Sequence, residues 1–145
     1  MQKANEAFTE GRYSEAIRLY SAELASEEAK KNPNWMKLTA LNSGLGSCFD
    51  RTGQYGKALE VHKKSLALRF NHLSPTHLEA ANSYINIGSA YDSKGEYDQA
   101  LEFHQKALAI RIERLGKAHP SLASCFNHIG LAYQGKDDHN KALEF

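Results

Sequence analysis

The chain has 145 residues, with 18 Lys and Arg against 17 Asp and Glu, so its net charge is only +1. That balance gives no field to gather nucleic acid or an anionic membrane surface. No apolar run reaches the roughly 20 residues of a membrane-spanning helix, and the N-terminal MQKANEAFTEGR lacks a signal-peptide core, so a cytoplasmic protein is expected.

The first predicted element pair lies in ANEAFTEGRYSEAIRLY, which begins at Ala4. Its second part carries Tyr13, Ala16, Ile17, Tyr20 and Leu24 at steps of three and four, the spacing of one helix face. The same frame returns 42 residues on, where Gly46 opens GSCFDRTGQYGKALEVH. It returns again at Gly88, with GSAYDSKGEYDQALEFH, and at Gly130, with GLAYQGKDDHNKALEF. Self-similarity at such a period marks a stacked-repeat architecture, which works through an extended surface.

Two stripes define each copy. The first-helix stripe is Leu38, Leu41, Leu45, Phe49, then Ala80, Tyr84, Ile87, Tyr91, then Leu122, Phe126, Ile129, Tyr133. The second-helix stripe is Tyr55, Ala58, Leu59, His62, Leu66, repeated as Tyr97, Ala100, Leu101, His104, Leu108. A glycine (Gly11, Gly53 or Gly95) stands between them, where a helix C-terminus often needs positive φ. The recurring Gly46, Gly88 and Gly130 predict first and second helices whose backbones nearly touch, because mid-helix glycine otherwise costs about 1 kcal/mol. Pro33, Pro75 and Pro120 each precede a first helix, and Thr76 with Glu79 is spaced as a capping box. Helices should therefore start near Asn34, Thr76 and His119. The whole is read as one array over 1–145, with a partial repeat at about 1–32, repeats at 34–73 and 76–116, and a truncated one at 119–145. Seven helices are expected, the last cut short.

The residues that could carry chemistry read as structural. Cys48 and Cys125 lie nearly two repeats apart, too far for the ~7 Å reach of a disulfide, so both should be reduced. His62 and His104 hold the site of Tyr20, and His139 that of Tyr13, Tyr55 and Tyr97. His77 and His119 recur at helix starts. No histidine pair or cysteine pair has metal-ligand spacing, and no nucleophile motif occurs, so no metal, cofactor or catalytic residue is predicted. Glu60–Lys64 and Glu102–Lys106 read as solvated i, i+4 pairs on second helices.

The order glycine, aromatic, glycine, tyrosine, Ala-Leu resembles the tetratricopeptide repeat, whose commonest form has 34 residues. Eight added residues, roughly two helical turns, imply longer helices. ALAIRIERLGKAHPSLASCFNHIGLAY, with Arg111, Gly116, His119 and Pro120, is similar to the kinesin-light-chain and nephrocystin type; Arg69 and His77 match one repeat earlier. The resemblance implies an all-α, right-handed superhelical solenoid of antiparallel helix pairs whose concave face is lined by first helices. That face would carry Asn5 and Phe8, then Ala40, Ser43, Gly44, Ser47, Asp50 and Arg51. Asn82, Ile85, Asn86, Ser89, Asp92 and Ser93 follow, then Ser124, Asn127, His128, Leu131 and Gln134. Amide side chains give and accept hydrogen bonds, as an extended peptide backbone requires.

Two ligand modes of the family can be checked against these residues. The clamp for a C-terminal carboxylate matches only at Asn5; Gly44, Asn82 and Asn86 stand where its asparagine and cations should, so it is excluded. The groove for tryptophan-acidic peptides has its paired asparagines halved, in Ile85-Asn86 and Asn127-His128. With Asp50 and Asp92 offset by little besides Arg51, a neutral or mildly basic segment is expected. The predicted function is a protein-interaction scaffold for a linear segment. A spacer or oligomerisation module, or a regulatory repeat domain of a larger signalling protein, is the alternative. The array is expected to be a fragment whose uncapped ends self-associate.

Overall fold

The computed structural model describes residues 1–74 and 77–143, with side chains in the last helix as far as Asp137. Pro75, Thr76 and Phe145 lie outside the described residues, as do the side chains of His139, Ala142 and Leu143. Seven helices follow one another: α1 (Gln2–Thr9), α2 (Tyr13–Glu28), α3 (Trp35–Arg51), α4 (Tyr55–His72), α5 (Leu78–Ser93), α6 (Tyr97–Leu115) and α7 (Leu122–Leu143). They divide into two compact units, Met1–His72 and Leu73–Phe145. No strand occurs among the described residues, and no helix there is long and apolar enough to cross a membrane.

The helix starts are set locally. Asn34 caps α3, its Oδ1 accepting from the Met36 and Lys37 amides at 3.0 and 3.2 Å, which satisfies two donors of the first turn. The repeated histidines bond backbone amides at the later helix starts, and His77 is the N-cap of α5. His77 Nδ1 accepts from the Glu79 amide at 3.2 Å, and His119 Nδ1 from the Ser121 amide at 3.1 Å. Their recurrence once per repeat is thereby explained.

The stops come from glycine. Gly11, Gly53 and Gly95 have φ of 77°, 77° and 80°. Past each, an amide bonds back five residues: Arg12 to Ala7 at 2.8 Å, Gln54 to Phe49 at 2.8 Å, and Glu96 to Tyr91 at 2.9 Å. This is the Schellman end, which reverses the chain into an antiparallel hairpin. In the last repeat the equivalent position is Asp137, and no turn forms there. Without a residue that takes positive φ readily, α7 continues unbroken through the place of the turn to Leu143.

Through α6 both stripes pack as their spacing predicts. In the first unit Ala4, Ala7, Ala16, Tyr20, Leu41, Leu45, Cys48 and Val61 form one buried cluster. In the second, Ala100, Leu101 and Ala132 are buried, with Tyr91 and Ile129 against them. Tyr91 stacks on Phe103 at 5.6 Å between centroids, and Tyr84 lies 5.9 Å from the same ring. One repeat on, Phe126 and Tyr133 are 57% and 53% exposed. Cys48 and Cys125 are buried free thiols, one in each unit, and burial pushes the Cys48 thiol up.

The glycine notches differ from expectation. A Cβ added at Gly88 would meet not backbone but the imidazole of His104, at 2.6 Å from Cε1, and at Gly46 the imidazole of His62. The glycine makes room for a ring of the partner helix. At Gly130 nothing lies within 4 Å.

Candidate functional site

The buried imidazoles reach through to the predicted binding face. His62 Nε2 donates to Asp50 Oδ2 at 3.1 Å and His104 Nε2 to Asp92 Oδ2 at 2.9 Å, with both rings essentially inaccessible. Asp50 and Asp92, read from sequence as nearly unaccompanied anions of a groove, are therefore the surface ends of buried hydrogen bonds. In each ring Nδ1 is buried without a partner among the described residues.

In the first unit the predicted face comes together around a hollow. Phe8, Tyr20, Ser43, Gly44 and Ser47 line a cavity of about 230 Å³. The Tyr20 hydroxyl donates to Asn5 Oδ1 on its far side, so the acceptor of Asn5 is already engaged. Ser43 Oγ lies 3.3 Å from Ser65 Oγ of α4. Arg51 is exposed in the last turn of α3. Tyr20 belongs by sequence to the packing stripe and was not foreseen as a lining residue. The signal was Gly44, which stands where later repeats have Asn86 and His128.

In the second unit Asn82 is committed to structure. Its Oδ1 accepts from Arg111 Nη2 at 3.1 Å. Arg111 Nη1 also donates to the Ser121 carbonyl at 3.0 Å and to Ser124 Oγ at 2.8 Å. His128 donates from Nδ1 to the Ser124 carbonyl at 2.6 Å, with its ring 5.0 Å from that of His104. Ser89 and Asn86 are half-buried on α5, and Asn127 and Gln134 are exposed on α7. The side-chain amides of Asn86 and Asn127 have no protein partner among the described residues. The outer-face pairs form as predicted, Glu60–Lys64 at 3.7 Å and Glu102–Lys106 at 3.3 Å. Lys106 also lies over Phe103, 5.1 Å from its centroid.

Helix hairpins ended by glycine, with a small residue facing the partner helix once per 42-residue repeat, define a helical-repeat protein. A tetratricopeptide-repeat profile matches residues 38–113 and again 79–145, and the chain belongs to that family. BtubC (BKLC) from P. vanneervenii is 22% identical with a TM-score of 0.79 over 96% of this chain and 55% of its own. A Podosopora anserina protein described as kinesin light chain-like, with nearly identical TPR-like repeats, is 24% identical with a TM-score of 0.80 over 99% and 68%. A single-residue variant of it gives 22% and 0.81 over the same shares. The chain thus spans little more than half of BtubC. No curated protein matches the sequence.

Proposed function

We propose that the chain is a protein-interaction scaffold that holds a linear segment of a partner on its first-helix face, and that it carries no catalysis of its own. The observation behind this reading is that Asn86 and Asn127, at neighbouring repeats of that face, present amides with no protein partner among the described residues. Their opposite faces are turned into the packed stripes. An amide offering both a donor and an acceptor suits the alternating groups of a peptide backbone. A cytoplasmic setting fits two buried free thiols, which a reducing compartment keeps as thiols. Changing Asn86 and Asn127 together to Ala should weaken partner binding about tenfold, equivalent to about 1.4 kcal/mol, with no loss of melting temperature. Changing Lys64 and Lys106 should leave binding intact. The reverse ranking would move the site to the second-helix face.

A second reading has its own support. Phe126 and Tyr133 lie seven residues apart on one face of α7 and are both exposed, so α7 is also a surface for self-association. Sedimentation should show concentration-dependent association that Phe126→Ser with Tyr133→Ser abolishes. A monomer at every concentration would remove this reading and leave the first untouched.

A further inference from the structure

Three repeat positions change character together where α1 and α2 meet α3. At 8, 50 and 92 stand Phe8, Asp50 and Asp92; at 20, 62 and 104 stand Tyr20, His62 and His104; at 44, 86 and 128 stand Gly44, Asn86 and His128. Where His62 and His104 hydrogen-bond to aspartates in the later repeats, the first repeat has two aromatic rings, Phe8 and Tyr20, facing Gly44. The result is the hollow lined by Phe8, Tyr20, Ser43, Gly44 and Ser47, at about 230 Å³. An engineered apolar cavity of roughly 150 Å³ holds a benzene ring, so this one has room for a phenylalanine, leucine or methionine side chain. The Tyr20 hydroxyl proton is already given to Asn5 Oδ1.

Asn5 is also the wall of a second, adjoining hollow of about 440 Å³ on α1, lined by Gln2, Asn5, Glu6, Thr9 and Glu10. That lining holds two carboxylates and no cation. Glu10 is paired with Arg12, which it shares with Glu15, whereas among the described residues Glu6 accepts only from the Gln2 amide at 3.2 Å. The charge left over is negative.

We propose that these two hollows form a two-part subsite in which a partner peptide seats an apolar side chain against Phe8 and Tyr20 and a neighbouring lysine or arginine against Glu6. The subsite deepens the peptide-binding reading above and rests on it. Its recognition chemistry is apolar plus basic, because the ring-lined hollow excludes charge and the carboxylates attract a cation.

A random peptide library displayed on phage and selected on the intact chain tests this. Selected peptides should carry an aromatic or aliphatic residue within two positions of a lysine or arginine. A synthetic peptide of the selected sequence, followed by fluorescence anisotropy, should bind about tenfold more weakly when the apolar residue becomes Ser or the basic one Glu. Glu6→Gln with Glu10→Gln, both exposed, should remove the preference for the basic residue. Gly44→Asn, the residue of the next repeat, should remove the apolar preference, and the peptide changes cover the case in which Tyr20 cannot yield to the new side chain. Peptides that are acidic, or indifferent to all these changes yet lost with Asn86→Ala and Asn127→Ala, would overturn the subsite and keep the scaffold. No selected peptide at all would overturn both.

Discussion

Glu27 near the end of α2 and Arg111 near the end of α6 occupy the same repeat position, two periods apart, with opposite charge. Both join a second helix to the first helix that follows. Glu27, 2% exposed, accepts from the Asn34 amide at 2.8 Å and pairs with Lys30 at 2.8 Å and Lys37 at 3.6 Å. Arg111 donates instead, to the Ser121 carbonyl, Ser124 and Asn82. The position must span a linker between repeats, and either sign of charge does so if the linker offers the complementary backbone group. The carboxylate takes an N–H; the guanidinium takes a C=O.

The two links should part company under perturbation. The largest effect is expected from Arg111→Leu, which strands the Ser121 carbonyl and the Asn82 amide oxygen. A charge-assisted bond is worth about 1.5–3 kcal/mol, so the second unit should lose roughly 2 kcal/mol, with amide exchange in α7 rising before that in α5. Uniform exchange across α5 and α7 would mean that Arg111 does not tie them. Glu27→Gln comes next, and its effect should depend on pH. The Lys30 side chain first, then the Asn34 amide, hold the Glu27 carboxyl below its ordinary value, against the opposing effect of burial. A folded-state pKa lowered in this way gives stability that is present above the unfolded value of about 4.3 and lost as pH falls through the folded one. The variant should therefore show a shallower acid limb of its melting curve than wild type. Arg111→Leu should not change that limb. The smallest effect is Lys37→Ala, a partly exposed pair at 3.6 Å, worth a few tenths of a kcal/mol and screened by salt.

Neither link was legible in the sequence. Arg111 stood out only through a family resemblance, and Glu27 not at all, because a carboxylate near a helix end reads as surface until its buried partners are known. What was legible followed from periodicity. The two stripes, the hairpin turns at Gly53 and Gly95 and the helix start near Asn34 all follow from spacing and residue type. The meaning of the Gly46 and Gly88 positions was only half readable. Spacing showed that something approached there, but the identity of the atoms, an imidazole rather than a backbone, depends on which residue the partner helix carries. The last repeat misled for a related reason. Its text, KALEF, copies the second helix, yet the turn before it has Asp137 in place of glycine, and one backbone position outweighed the copied stripe. On the predicted face the sequence did not separate Asn86 and Asn127 from Asn82, Asp50 and Asp92, whose bonding partners come from other helices.

The imidazole seated in a glycine notch also bears on how a tandem array avoids misfolding. Slide α6 along α5 by one turn and His104 would meet a side chain where it now meets Gly88, so the notch acts as a register key. It cannot act as an address, because Gly46 offers α6 the same notch as Gly88. Choice of partner must come from tethering. The short Schellman turn through Gly95 keeps α6 at high effective concentration beside α5 and no other helix. Lengthening that turn, rather than altering either helix, is the change that would let repeats with the same notch exchange partners between molecules.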